Sequence, residues 1–173
     1  EKEKASEYYL RSSAVYRISR FPAPRSEVQR EAWKLGKEVC IKGLGMRPHP
    51  VHEVMIPHQH RNQDEGEHIP VYHLVPEGAS KENPVPTVII FTGLDGYRTE
   101  LAVWMEGWRR VGVATIVLEI PGTGDCPATA SDPTSPDRLY SSLFDWIATQ
   151  ERLDAKKVAI WAFSTGGYYA IRV

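Results

Sequence analysis

The sequence has little cysteine and no excess of charge of either sign. Cys40 and Cys126 are the only cysteines among 173 residues, so a disulfide framework is not expected and a reducing, cytoplasmic location is predicted. Lys and Arg together number 21 against 22 for Asp and Glu, which leaves a formal net charge of −1. This balance gives no reason to expect nucleic acid or an anionic membrane surface as a partner.

Long hydrophobic runs are also missing. No apolar stretch approaches the roughly 20 residues that a membrane-spanning helix needs, and we therefore predict no membrane span. The chain begins at Glu1 with alternating Glu and Lys, not with the basic and apolar regions of a signal peptide. A secretory leader is accordingly not expected.

The first 47 residues predict two amphipathic helices. The first is expected to run to about residue 20 with its apolar residues mostly on one side: Ala5, Tyr8, Tyr9, Val15 and Tyr16. Phe21-Pro22-Ala23-Pro24 should end it, and Ser26 is the predicted N-cap of the second helix. That helix carries its own apolar stripe and a predicted stop: Val28, Ala32, Leu35, Val39 and Gly43. Neither stripe can bury itself alone, so residues 1–47 are predicted to pack on the remainder as a lid or cap segment.

From residue 48 the periodicity becomes that of strands. The segments Val51–Ile56 and Ile69–Val75 predict a hairpin. Three apolar runs predict buried parallel strands: Thr87–Phe91, Val113–Ile120 and Lys157–Phe163. Helical patterns separate these strands, one around Leu101–Trp108 and one capped by Ser135. A hairpin followed by parallel strands and crossover helices is the N-terminal half of an α/β-hydrolase sheet. We therefore predict an α/β fold, with residues 48–173 as this half sheet.

A serine between small residues follows the last predicted strand. Ser164 has Ala162 two positions before it and Gly166 two positions after it, and a helix-forming run begins at once. This is the build of a nucleophile elbow, a strained strand-to-helix turn that exposes a serine hydroxyl. Alanine here replaces the first glycine of the usual G-x-S-x-G pattern. Ser164 is the candidate nucleophile, and a buried strand followed by a glycine-rich turn is the alternative.

Acyl-type hydrolysis also needs two hydrogen-bond donors that point at the developing oxyanion. One predicted donor is the backbone N–H of Thr165, and the other should come from the loop after the first central parallel strand. That loop contains Gly93, which allows a sharp turn, followed by Leu94 and Asp95. The N–H of Leu94 is the preferred second donor, and that of Asp95 is the alternative.

Two other clusters of polar residues suggest a phosphate-binding loop and a metal site, but we predict neither function. Pro121–Asp125 contains G-x-G but lacks a phosphate-binding lysine, so it should shape the rim of the site entrance, and Glu119 before it should be structural. The loop between the hairpin strands collects several possible metal ligands: His58, His60, Asp64, Glu65, Glu67 and His68. Their spacing fits no standard metal site, and a solvated loop explains them better. We predict neither a metal nor an organic cofactor.

The sequence stops at Val173, about two helical turns after Ser164. Serine hydrolases of the α/β type place the acid and the histidine of the triad after the serine. His49, His52 and His73 are poor substitutes because the early hairpin should lie on the far side of the sheet. We therefore expect an N-terminal part of a larger protein, whose C-terminal half, in the same or a separate chain, supplies both residues. The sequence does not decide whether the protein forms a homodimer.

Four segments of the sequence resemble one branch of the α/β-hydrolases: Leu10–Pro22, Phe91–Glu100, Glu119–Asp125 and Trp161–Tyr169. This branch contains the fungal yellowish-green-type pigment proteins, which are polyketide-shortening heptaketide hydrolases. It also contains the 2,6-dihydropseudooxynicotine hydrolases and the fermentation–respiration switch-like esterases. The resemblance covers nearly the whole chain, but the acid and the histidine of the family have no counterpart here.

The resemblance implies a cofactor-free cleavage of a carbon–carbon bond beside a ketone. Ser164 would attack a carbonyl of a polyketide side chain, and a stabilised aromatic carbanion or enol would leave. In fungal melanin biosynthesis such a reaction converts a heptaketide naphthopyrone to tetrahydroxynaphthalene and acetoacetate. A carboxylesterase with the same machinery is the first alternative. A non-catalytic fragment that needs a partner chain is the second.

Overall fold

The computed structural model describes residues 1–173. Two helices come first, three strands follow, and helices and strands then alternate. Six α-helices and five strands follow one another in this order: α1 (Lys2–Arg20), α2 (Glu27–Gly45), β1 (His52–Pro57), β2 (His68–Leu74), β3 (Val85–Phe91), α3 (Arg98–Leu101), α4 (Met105–Arg110), β4 (Ala114–Leu118), α5 (Ser135–Thr149), β5 (Leu153–Ala162) and α6 (Gly166–Arg172). A single 3₁₀ turn, Ala102–Trp104, joins α3 to α4.

The strands form one mixed sheet in the order β1-β2-β4-β3-β5. The hairpin β1–β2 is antiparallel, and β2 also pairs antiparallel with β4. Strand β3 lies between β4 and β5 and pairs parallel with both. The predicted hairpin, the three predicted parallel strands and the α/β class are all confirmed. Parallel neighbours need crossover connections, which α3–α4 and α5 provide.

Strand β3 has side chains buried on both faces of the sheet. Ile89 and Phe91 belong to a core cluster that includes Leu139 and Leu143 of α5. Val88 and Ile90 point to the opposite side and join a second cluster with residues of α2 and α4: Cys40, Leu44 and Met105. A strand covered on both faces requires a nearly continuous apolar run, which is why this segment is recognisable in the sequence.

The face predicted for α1 is wrong, and the one predicted for α2 is only partly correct. Tyr8 and Val15 of α1 are 59% and 62% exposed, whereas its buried residues are Ser6, Ser13 and Arg20. The Oγ atoms of Ser6 and Ser13 donate hydrogen bonds to main-chain oxygens of α2, those of Gly43 and Gly36, at 2.6 and 3.1 Å. Small residues at the crossing let the two backbones approach closely, so the contact depends on serine and glycine, not on the apolar stripes. Val28 of α2 is likewise 79% exposed.

The predicted helix ends are partly confirmed. Ser26 caps α2 by accepting a hydrogen bond from the N–H of Gln29, in a reciprocal capping box. The helix continues to Gly45, two residues beyond the predicted stop at Gly43. The N-cap of α5 is Thr134, not Ser135, which is the first residue of the helix. Cys40 and Cys126 form no disulfide, and no helix has the length and apolar composition to cross a bilayer.

His73 on β2 is half-buried, and protonation of its imidazole opposes folding. Its Nε2 has no hydrogen-bond partner, and its ring packs edge-on against Trp146 with centroids 5.5 Å apart. Burial, with smaller contributions from Arg152 and His52, lowers the pKa of His73 to about 4. The unfolded chain therefore binds a proton in the window between about pH 6.5 and pH 4 that the folded chain does not bind.

We expect acidification from about pH 7 to about pH 5 to cost about 2 kcal/mol of unfolding free energy through His73. His73→Gln should flatten this pH dependence, as measured by urea denaturation at both pH values. His52→Gln is the matched control, since His52 lies opposite His73 on β1 and is exposed. This variant should still lose about 2 kcal/mol of unfolding free energy on acidification. An unchanged loss in His73→Gln would show that another group titrates.

Candidate active site

The carboxyl ends of β4, β3 and β5 lie side by side. Phe91 at the end of β3 is in register with Leu118 of β4 and Ala162 of β5. The N–H of Phe163 donates to the carbonyl oxygen of Phe91 at 3.1 Å, and that of Thr92 donates to the oxygen of Leu118 at 3.2 Å. Three loops therefore begin at one level on the edge where α/β sheets bind ligands.

Ser164 occupies a tight turn between β5 and α6. Its φ of 51° makes it the one non-glycine residue of the chain with positive φ. The N–H groups of Gly166 and Gly167 donate to the carbonyl oxygens of Phe163 and Ser164 at 2.8 and 2.9 Å, which closes the turn. A side chain in this region of backbone space costs about 1–3 kcal/mol and persists only where the surroundings enforce it. The Ser164 side chain is exposed.

Two glycines allow the loops to approach this turn. A Cβ on Gly166 would overlap the carbonyl oxygen of Thr92 and lie 3.1 Å from that of Phe91. A Cβ on Gly93 would lie 3.3 Å from the Cβ of Ser164 and 3.9 Å from its Oγ. The small residue predicted at position 166 is therefore required by the packing of β5 against β3, and Gly93 lies directly beside the serine.

The predicted oxyanion donors lie on the two loops that meet at Ser164. The N–H groups of Thr165, Leu94 and Asp95 donate to no backbone carbonyl. Leu94 is 59% exposed, and Asp95 is exposed as well. The structure thus brings Gly93 of this loop beside Ser164, and the three N–H groups predicted as donors have no backbone acceptor.

The six histidines lie elsewhere. All of them fall between residues 49 and 73, on or beside the β1–β2 hairpin, and β4 and β3 separate that hairpin from β5. His58 contacts Ser142 of α5 at 2.9 Å, His60 contacts Asp145 at 2.6 Å, and His49 pairs with Glu77 at 3.1 Å. Burial lowers the pKa of His58. None of these side chains is placed to take a proton from Ser164.

A buried ion-pair network ties the loop after β3 to the loop after β4. The guanidinium of Arg98 contacts Glu119 at 2.8 Å, Asp125 at 2.9 Å and Glu53 at 2.8 Å. Burial alone would disfavour the charge of Arg98, but Glu119 and Asp125 outweigh it and raise its pKa. Burial opposes the ionised form of Asp125 too, and Arg98 and Lys37 overcome it and lower the pKa of that carboxyl. Glu119 therefore has the structural role that the sequence predicts.

Helix α2 also holds the Pro121–Asp125 loop. The indole Nε1–H of Trp33 donates to Asp125 at 2.9 Å, and the ammonium of Lys37 donates to its other oxygen at 2.6 Å. Sequence reasoning missed these contacts and those of Arg98. A helical repeat places Trp33 and Lys37 one turn apart on one face, but nothing local identifies their shared partner, which lies 92 and 88 residues away from them.

The larger cavities of the structure do not include Ser164. One of about 800 Å³ lies between α1 and α4, and one of about 790 Å³ lies between the hairpin and the end of α5. Neither is lined by Ser164, Thr165 or Leu94. The two largest of these cavities therefore lie away from the turn at Ser164.

The arrangement of sheet, helices and turn matches known structures. AbyA5 has 22% sequence identity and a TM-score of 0.78, over 99% of this chain and 47% of that chain. The 2,6-dihydroxy-pseudo-oxynicotine hydrolase has 22% identity and a TM-score of 0.76, over 99% of this chain and 46% of that one. A hyperthermophilic esterase from the archaeon Pyrobaculum calidifontis has 19% identity and a TM-score of 0.55, over 90% of this chain and 49% of that one. The chain has the α/β-hydrolase fold.

At these identities the likeness establishes the α/β-hydrolase fold and not an activity. No protein-family model matches the sequence, and no curated protein matches it. The chain spans about half the length of the solved structures to which it is similar. The turn at Ser164 joins the parallel strand β5 directly to helix α6.

Gly166→Ala should disrupt the site where Gly167→Ala does not. The new methyl group at 166 would collide with the Thr92 carbonyl, and relieving that overlap should cost about 1–3 kcal/mol of unfolding free energy. A Cβ on Gly167 meets nothing within 4 Å, so the same change one residue later in α6 should be neutral or stabilise by up to about 1 kcal/mol. Denaturant unfolding of both variants checks this, and equal stabilities would contradict the close approach at 166.

Proposed function

We propose that the protein is a serine hydrolase in which Ser164 is the nucleophile. The observation that carries the proposal is the left-handed backbone conformation of Ser164, at an exposed turn between β5 and α6 of an α/β-hydrolase fold. Such strain in a non-glycine residue is typical of functional positions. The close approach of the Gly93 loop to the same side chain supports the assignment.

In the proposed mechanism, the Oγ of Ser164 attacks a substrate carbonyl carbon while a base takes the hydroxyl proton. The carbonyl oxygen becomes an oxyanion that accepts hydrogen bonds from the N–H of Thr165 and the N–H of Leu94, with Asp95 as the alternative donor. The tetrahedral intermediate expels the leaving group, which receives the proton. Water then attacks the acyl-enzyme, releases the acid and restores Ser164. Each oxyanion donor is expected to contribute about 10²–10³ in kcat.

The base and its acidic partner are proposed to come from polypeptide that pairs with β5. Strand β5 has ten residues and forms one edge of the sheet, so its outer backbone groups have no partner strand. Ile171 and Tyr168 of the adjacent α6 are 91% and 61% exposed. The solved structures of this fold are about twice as long as the chain. The pairing segment is either continuous with this chain or a separate chain.

The substrate class we propose is an aromatic polyketide whose side chain is shortened. Aromatic rings lie beside the turn: Trp161 and Phe163 have centroids 4.9 Å apart, and Trp104 meets Trp161 at 5.4 Å. Trp104 is 48% exposed, so this cluster offers a surface on which a flat substrate can stack. The sequence resemblance favours cleavage of a heptaketide naphthopyrone to tetrahydroxynaphthalene and acetoacetate, as in melanin-type pigment biosynthesis. A simple carboxylesterase is the alternative.

Residues 1–47 are proposed to act as the lid or cap segment of the site. Trp33 and Lys37 of α2 bind Asp125 in the loop after β4. The segment therefore contacts the same edge of the sheet that carries Ser164. A cap in this position would restrict access of water and substrate to the serine.

Ser164→Ala should abolish covalent labelling by a fluorophosphonate probe in the full-length protein. The probe reacts with an activated serine hydroxyl, and no other serine lies at a strained turn. Ser141→Ala is the matched control, because Ser141 is an exposed serine on α5 and should leave labelling unchanged. Mass spectrometry of the labelled peptide identifies the site, and labelling that survives in Ser164→Ala would disprove the assignment.

The same labelling applied to the isolated 173 residues tests the need for a partner segment. Without a base, Ser164 should label at least about 10²-fold more slowly than in the full-length protein. Equally rapid labelling of the isolated chain would show that no partner is required.

Product analysis distinguishes the two substrate classes. We expect the full-length protein to convert a heptaketide naphthopyrone to the shorter naphthol with release of acetoacetate, detected by liquid chromatography and mass spectrometry. Ser164→Ala is the control for non-enzymatic breakdown. Rapid turnover of p-nitrophenyl esters with no change in the naphthopyrone would favour the carboxylesterase.

A further inference from the structure

Arg20, the last residue of α1, is a buried cation whose partners belong to the loop beside Ser164. Its side chain is about 1% exposed. One Nη1–H group donates to the carbonyl oxygen of Asp95 at 3.0 Å, and Nη2 forms an ion pair with Glu100 in α3. The guanidinium also lies 3.7 Å from the ring centroid of Tyr97. Burying a charge in this way is costly unless several groups compensate it.

The main chain of residues 93–96 has no other hydrogen bond. At the start of the loop, the N–H of Thr92 donates a hydrogen bond to the carbonyl oxygen of Leu118 at 3.2 Å. At its end, the N–H of Tyr97 donates to the carboxylate of Glu100 at 2.6 Å. Between these points the contact from Arg20 to Asp95 is the one hydrogen bond to the backbone. Because Gly93 and Gly96 flank the predicted donors and impose no side-chain restriction, the contact from Arg20 is the one polar restraint on the backbone between them.

Arg20 is itself held rigidly. Its Nη1 donates a second hydrogen bond to the carbonyl oxygen of Pro22 at 3.1 Å, and its guanidinium lies 5.4 Å from the ring centroid of Trp33. Trp33 meets Tyr97 edge-on at 5.0 Å. The planar fork of arginine can satisfy the carbonyl oxygens, the carboxylate and the aromatic face together, which the single ammonium of a lysine cannot do.

We propose that Arg20 is a positioning residue for the oxyanion hole. By fixing the carbonyl oxygen of Asp95, it holds the preceding peptides so that the N–H of Leu94 or Asp95 points toward the oxyanion formed at Ser164. The N-terminal helix thereby contributes to the stability of the transition state without touching the substrate. This proposal rests on the proposed function of Ser164.

Arg20→Gln in the full-length protein should lower kcat for a p-nitrophenyl ester by about tenfold to a hundredfold, less than complete removal of a donor. KM should stay within about twofold, because the oxyanion exists only in the transition state. Arg17→Gln is the matched control. Arg17 also pairs with Glu100, at 2.9 Å, from one turn earlier on the same helix, but it makes no contact with the loop, so kcat should be unchanged.

Amide ¹⁵N relaxation of residues 94–96 gives a readout that does not require activity. The loop should have order parameters near 0.85 in the wild type and Arg17→Gln, and below about 0.6 in Arg20→Gln. If the wild type neither labels at Ser164 nor turns over esters, the proposed function of Ser164 fails. The role of Arg20 in an oxyanion hole fails with it, while lowered order parameters would still establish its hold on the loop.

Three results overturn the proposal in an active enzyme. These are unchanged order parameters in Arg20→Gln, a mobile loop with wild-type kcat, and an equal loss of kcat in Arg17→Gln. Should Arg20→Gln fail to fold, Arg20→Lys decides, since lysine can keep the pair with Glu100 but not the full set of contacts. We expect it to fold with kcat lowered by at least about threefold at unchanged KM, and wild-type kcat in this variant would refute the proposal.

Discussion

The parallel pairing of β3 with β5 is the constraint on which the site depends. The hydrogen bond from the Phe163 N–H to the Phe91 oxygen brings the two strand ends to one level. From there the chain must turn sharply in both loops, and there is no room for a side chain where Gly166 meets the carbonyl of Thr92. At the same place Ser164 has a positive φ and Gly93 lies against it. The strain at the serine thus lies where the two strand ends pack together.

The N-terminal helices are attached to the loops at this edge by hydrogen bonds in which at least one partner is charged. They pack on each other through serine and glycine contacts. Helix α2 packs on the sheet through Cys40 and Leu44, and the two helices bind the loops at this edge through Arg20, Trp33 and Lys37. A contact between paired, hydrogen-bonded charges is directional, whereas an apolar contact is not. A segment anchored in this way can set the geometry of neighbouring loops as well as cover them.

Local patterns allowed the strands, the turn at Ser164 and the Leu94 loop to be predicted, because each has a signature within a few residues. The buried face of α1 was predicted wrongly, since hydrophobic periodicity cannot detect packing mediated by small polar residues such as Ser6 and Ser13. The network around Arg98 and the contact from Arg20 to Asp95 join residues 21 to 75 positions apart. Such pairs depend on the tertiary fold, and the sequence marks their members only as charged residues.

The most direct measurement is a crystal structure of the full-length protein with a phosphonate bound covalently to Ser164. The tetrahedral adduct stands in for the oxyanion intermediate. We expect a phosphonyl oxygen within about 2.7–3.1 Å of the N atom of Thr165 and of the N atom of Leu94 or Asp95, with φ of Ser164 still positive. An adduct whose oxygens point to solvent, or a serine that has relaxed to negative φ, would contradict the assignment of this turn as a nucleophile elbow.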